Sequence, residues 1–254
     1  MYDMVRSSRA VSEVLAGVIL FTVVTLISLA VFFYAIIYVD YAKALTEYGY
    51  AVSMFNNIAE AIITRSTNNT AMDFTYPHEV VSLGYSYRDV NLSIILRDAG
   101  NNSLIWSLNT TRCYVLRAGV PRPVVTSSTP VKLKGDNTTV VNDINSVPLI
   151  YEYYSNGWSM LVLDLCRIYY SIKSLNNTKI LEIWLFNLTG VNSEDTPPMV
   201  TGQGHIVVLP RVRDIVFSNV NATITPLDQT VTSVFPAVFT TVVIRFVNIG
   251  VLIG

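Results

Sequence analysis

From Val14 to Val39 the chain reads VLAGVILFTVVTLISLAVFFYAIIYV, 26 consecutive residues without a charge. A helix needs about 20 apolar residues to cross the hydrocarbon core of a bilayer, so this run is long enough to span one with some tilt. It holds no Pro and one Gly, Gly17, and a lone strand in lipid would leave its backbone groups unpaired. The pattern predicts a transmembrane helix. Arg6 and Arg9 precede the run, whereas Asp40, Lys43 and Glu47 follow it. The positive-inside rule then predicts a single-pass cell-membrane protein with its N-terminus in the cytoplasm and everything after Val39 outside.

Helical periodicity continues beyond the run. Leu45, Tyr48, Val52, Phe55, Ala59 and Ile62 recur at spacings of three and four, which predicts an amphipathic face. Gly49 is the weak point of this stretch, and the turn-forming residues Ser66–Thr70 predict an end near Thr64. A helix from Ser12 to Thr64 would be about 80 Å long at 1.5 Å per residue.

After Pro77 the period shortens to two. Runs of β-branched and aromatic residues alternate with Asn, Asp, Gly and Pro clusters, which predicts strands. The expected strands are Val80–Tyr87, Leu92–Arg97, Leu104–Leu108, Cys113–Leu116, Val124–Thr126, Val131–Lys134, Thr138–Val141, Leu149–Tyr154, Ser159–Leu165, Arg167–Ile172, Lys179–Phe186, His205–Leu209, Ile215–Phe217, Ala222–Ile224 and Thr240–Ile249. Ser155-Asn156-Gly157 is the strongest hairpin signal. Gly135-Asp136-Asn137 and Asn176-Asn177 predict further turns, and Val191–Gly204 a long loop. The C-terminal run VFPAVFTTVVIRFVNIGVLIG contains Pro236, Arg245 and Asn248. A central Arg costs about 2.5–3.5 kcal/mol on membrane insertion, so this run is expected to be a closing strand, with Val251-Leu252-Ile253 covered by the chain's own helix or by a neighbouring copy. The expected fold is α+β: a long N-terminal transmembrane helix followed by a mainly antiparallel, β-sandwich-like extracellular domain. The expected segments are 1–10, 11–64 and 65–254.

Charge changes the picture mainly by what it excludes. Charged residues make up 14% of the chain and the net charge is −1; no basic cluster stands outside the first residues, so no nucleic-acid partner is expected. Two cysteines, Cys113 and Cys166, lie in apolar, strand-like stretches in a compartment that permits a disulfide; they pair there or remain as two buried thiols. Asn-X-Ser/Thr sequons occur at Asn68, Asn91, Asn101, Asn109, Asn137, Asn176, Asn187 and Asn221, all after the apolar run. They are candidate N-glycosylation sites, Asn187 the weakest because it sits inside an apolar strand-like stretch.

Arg9-Ala10-Val11-Ser12-Glu13-Val14-Leu15, followed directly by the uncharged run, resembles the class III (prepilin-type) signal sequence of archaeal type IV pilins and pilin-like proteins. The resemblance covers about 30 residues. It implies a cut between Ala10 and Val11 by a prepilin-type signal peptidase, with Arg9 marking the site. It also implies that the apolar run is kept, to pack in a filament core or stay in the membrane. Glu13 would be third in the cut chain, whereas many bacterial-type pilins carry Glu fifth. It is either an assembly residue or an interfacial acid favourable to the helix dipole.

Catalytic patterns are missing. His78 and His205 have no metal-ligand spacing, and no HExxH, CxxC, phosphate loop or GxSxG elbow occurs. Asp73, Glu79, Glu194 and Asp195 are hard oxygen ligands with no supporting spacing for calcium. No enzyme activity, cofactor or metal is expected. The expected function is a structural subunit of a cell-surface filament assembled through its helix, with membrane lipid, copies of itself and pilus assembly machinery as partners. The alternative is a single-pass anchored surface or accessory protein with a binding ectodomain.

Overall fold

The computed structural model describes residues 2–65, 70–76, 79–175, 178–190, 204–226, 233–234 and 238–253, with the side chains of residues 2–13, 76, 190, 204–205, 225–226 and 233–234 outside the description. The chain divides into two compact units, residues 1–45 and 46–254. One helix, α1 (Tyr2–Arg65), supplies most of the first unit and the opening of the second.

Within the second unit α1 has one buried seam. Tyr48, Ala51, Phe55, Ile58 and Ile62 are all at most 5% exposed and follow a 3–4 spacing. Each large apolar side chain buried this way contributes about 1.5–3 kcal/mol. The expected face was out of phase at two positions: Leu45 is 50% exposed and Val52 half-buried. At about 100° per residue, both lie roughly 80–100° from the centre of the seam that Tyr48, Phe55 and Ile62 share with Ala51 and Ile58. Gly49 does not interrupt the helix. A Cβ there would meet nothing within 4 Å, so no packing constraint acts on it.

Among the described residues, the rest of the unit is one sheet of twelve strands with a short 3-10 turn at Ile144–Ser146: β1 (Met72–Tyr76), β2 (Ser82–Asp98), β3 (Leu104–Val120), β4 (Val131–Lys134), β5 (Val140–Val141), β6 (Leu149–Ser155), β7 (Trp158–Asp164), β8 (Ile168–Leu175), β9 (Thr178–Gly190), β10 (Gly204–Pro226), β11 (Ser233–Val234) and β12 (Phe239–Ile253). The order is β4-β6-β7-β3-β2-β10-β12-β9-β8-β5, with β1 and β11 pairing β10. All pairs are antiparallel except β9/β12 and β5/β8. The sheet is rolled. Laid flat, ten strands about 4.8 Å apart would separate β4 from β5 by about 43 Å, yet six residue steps from Lys134 to Val140 reach about 20 Å at most.

Rolling creates two cores. Leu83, Tyr85, Leu116, Ala118, Leu161, Leu163 and Ile150 are buried and meet in register across β2, β3, β7 and β6. Glu152 shares that face through its pairing with Leu161, and the Tyr48 hydroxyl donates to Glu152 Oε2 at 3.0 Å, so this is the face that α1 covers. The opposite face carries Val115 and Val162, which pack with Ile94, Ile183, Val242 and Ile244 from across the roll.

Several expected strands fuse into longer ones. β2 joins Val80–Tyr87 to Leu92–Arg97, β3 joins Leu104–Leu108 to Cys113–Leu116, and β10 joins three. The polar residues read as breaks are cross-strand partners instead: Arg112 lies opposite Asp89, 3.6 Å from its carboxylate, with its guanidinium 4.9 Å from the Tyr87 ring centroid. Such pairs support a ladder rather than end it. A register shift between Asp89 and Leu92 lets one strand change its buried face. Val124–Thr126 is not a strand. Pro121 and Pro123 remove ladder donors, and the Val124 and Val125 amides donate instead to Ser159 Oγ, both at 2.9 Å. The Asn156-Gly157 hairpin forms with both residues at positive φ, 52° and 84°, as a two-residue turn of this hand requires. β12 sits between β10 and β9, and the chain itself covers its end: Val251 is 1% exposed, pairs Val208 and Gly190, and its carbonyl accepts the Tyr85 hydroxyl.

Candidate functional site

Among the described residues the most exposed apolar surface is the Val14–Val39 stretch of α1. Of residues Val14–Val39, seventeen are Leu, Ile, Val or Phe, and every residue of the run is exposed. This segment has mean hydropathy 2.7 in its most apolar window and 0% of it is buried. It is long and apolar enough to cross a membrane. Its polar side chains are matched to an apolar surround: Thr22 Oγ1 donates to the Val18 carbonyl and Thr25 Oγ1 to that of Phe21, both at 2.8 Å. Such back-bonding satisfies a hydroxyl without water. Tyr34, Tyr38 and Tyr41 lie exposed towards its C-terminal end, where amphipathic rings suit a membrane–water boundary. Arg9, Ala10, Val11 and Glu13 are helical; their side chains lie outside the described residues.

Just beyond, the second unit is tied to its own helical segment. One carboxylate oxygen of Glu47 accepts the amides of Glu79, Val80 and Val81 at 3.1, 2.7 and 3.0 Å. Tyr48 also donates to the Met160 carbonyl at 3.4 Å; burial first, then Glu152, pushes its hydroxyl well above the ordinary tyrosine range. Lys134 reaches Glu60 at 3.3 Å.

Cys113 and Cys166 form a disulfide, with Cα atoms 5.9 Å apart. It joins β3 to the β7–β8 connection across the inner core. Beside it is a buried ionic cluster that the sequence reading missed. Asp164 is fully buried and Arg167 is 2% exposed. Asp164 Oδ2 accepts from Arg88 Nη1 at 2.8 Å, and its Oδ1 accepts the Cys166 amide at 2.8 Å. Arg167 donates from Nε to the Asp136 and Thr138 carbonyls and from Nη1 to the Asp164 carbonyl at 3.2 Å. Burial pulls the Arg167 pKa down while Asp164 pushes it back up. The available signal was Leu163-Asp164-Leu165-Cys166-Arg167, two opposite charges inside an apolar run.

The sequons fall on the sheet surface. Asn91, Asn101, Asn109, Asn137 and Asn187 are exposed and Asn221 is half-buried; Asn68 and Asn176 lie outside the described residues. Asn187 points outward from β9, unlike its expected placement. Asn109 pairs Ser93 and Asn221 pairs Arg97, so both share the outward face of β3, β2 and β10. Of the candidate calcium ligands, Glu194 and Asp195 lie outside the described residues, as do His78 and the His205 side chain. Among the described residues no three His, Cys, Asp or Glu side chains are grouped to hold a metal.

No family model, curated protein or solved structure matches the chain.

Proposed function

We propose that the chain is a pilin-like subunit of a cell-surface filament, anchored first in the membrane and then assembled through its N-terminal helix. The observation that carries this reading is the uniformly exposed, uncharged stretch Val14–Val39 of α1. Its seventeen large apolar residues favour a lipid environment by about 5–10 kcal/mol on an insertion scale, and a packed bundle of identical helices would bury the same surface. Arg9-Ala10-Val11 would be the cleavage site, and Glu13 would sit at the start of the assembly helix. The rolled sheet would form the outer surface and carry glycans at exposed sequons such as Asn91, Asn101 and Asn109.

The test is Ala10→Trp in the native cell, followed in the sheared-surface and membrane fractions. The proposal requires the unprocessed chain to accumulate in the membrane and surface filaments to disappear. Undiminished filaments would overturn it. A protein that is neither cut nor sheared off in its native form would be a single-pass anchored surface protein instead.

A further inference from the structure

A cleft of about 270 Å³ opens beside the ionic cluster, lined by Arg88, Pro130, Lys132, Asn137, Leu149 and Tyr151. Register brings these residues together. Lys132 pairs Tyr151 and Leu149 pairs Asp164, so all four share the inner face at the β4 margin of the sheet. The Arg88 head group arrives from β2, drawn by Asp164, and its side chain stays 35% exposed.

The polar groups of the cleft are donors with unused capacity. Arg88 engages Asp164 through Nη1, which leaves Nε and Nη2 without a partner among the described residues. Lys132 Nζ, the Tyr151 hydroxyl and the Asn137 side-chain amide also make no hydrogen bond among the described residues, although the Lys132 charge lies near enough to Asp136 to help lower its carboxyl pKa. Burial, then the nearby Asp164 charge, pushes the Tyr151 hydroxyl up to about 12, so it remains a donor at neutral pH. Three cations (Arg88, Lys132, Arg167) stand against two carboxylates (Asp164, Asp136), leaving one positive charge. The two free nitrogens of a planar guanidinium match a planar carboxylate. The remaining walls are apolar: Pro130, Leu149 and a Tyr151 ring stacked on Tyr153 with centroids 6.1 Å apart. The volume falls just below that of drug-sized ligand pockets, which run from about 300 Å³ upwards, and suits a ligand of one ring.

We propose that this cleft binds a single carboxylate carried on a sugar-sized ring, a uronic acid residue of a surface polysaccharide. The carboxylate bridges Arg88 and Lys132, Tyr151 and Asn137 donate to ring hydroxyls, and the apolar ring face lies against the tyrosine pair. The test is calorimetric titration of the full chain in detergent micelles with glucuronate, glucose and inorganic phosphate as probes. Glucuronate should bind at least about tenfold more tightly than either of the others. Lys132→Glu, on an exposed edge strand, should weaken glucuronate at least about tenfold while leaving the unfolding midpoint unchanged, and Tyr151→Phe should weaken it several-fold. Added salt should weaken it further. Equal binding of glucose, phosphate as tight as glucuronate, or full glucuronate binding by a folded Lys132→Glu protein would each overturn the proposal.

Discussion

Removing the disulfide should be the most damaging covalent change to the β unit. Cys113 and Cys166 are 53 residues apart. In the chain-entropy treatment, a closed loop of that length removes about 14 cal/mol/K from the unfolded ensemble, or about 4 kcal/mol at 25 °C. The bridge also pins the roll at the point where β7 hands over to β8, which are separated in the sheet by five other strands. Cys113→Ala combined with Cys166→Ala avoids stray thiols. Guanidinium unfolding of the full chain in detergent, read by the fluorescence of the core residues Trp106 and Trp184, should show a loss of about 4 kcal/mol. The slope against denaturant should rise, because the uncrosslinked unfolded chain is more expanded. For a unit of this size the midpoint temperature should fall by roughly 8–16 °C. Wild-type protein unfolded in reductant should coincide with the variant. A loss under about 1 kcal/mol would refute the view that the bridge closes the roll.

Asp164→Asn leaves Arg167 buried without its counter-charge and should destabilise the unit by about 3–5 kcal/mol; urea titration would show it, and a near-neutral result would mean that the cluster is hydrated. Glu47→Ala should cost about 1–3 kcal/mol and speed hydrogen exchange at the Glu79, Val80 and Val81 amides, with exchange elsewhere less changed. The Thr138 amide holds the Asp136 carboxyl below its ordinary 3.8, and hydrogen bonds from Arg245 do the same for Asp214. A lowered folded pKa stabilises above the unfolded value and is lost as pH falls through the folded one. Stability should therefore decline below about pH 4, and Asp214→Asn should flatten that acid-side slope in a pH series of thermal melts.

The helix was legible because 26 uncharged residues leave few alternatives. The phase of its second half was not: Leu45 and Val52 are as apolar as the residues buried beside them, and only the sheet surface decides which stripe is covered. Strand-forming stretches were legible from alternation, but their lengths were not, because Asp89 and Arg112 read as a break until they are seen facing each other. The parallel β9/β12 pair depends on contacts about sixty residues apart, which no local pattern encodes. The cleft was invisible for the same reason: Arg88 and Lys132 are surface cations in sequence, and only the roll brings them to one opening.

Filament assembly as proposed requires the Val14–Val39 stretch of α1 to be freed from a leader. Mass spectrometry of the mature N-terminus, on protein from native membranes and from sheared surface material, tests this most directly. Cleavage after Ala10 predicts a chain beginning at Val11. A chain that still carries Arg9 and Ala10 in surface material would contradict it.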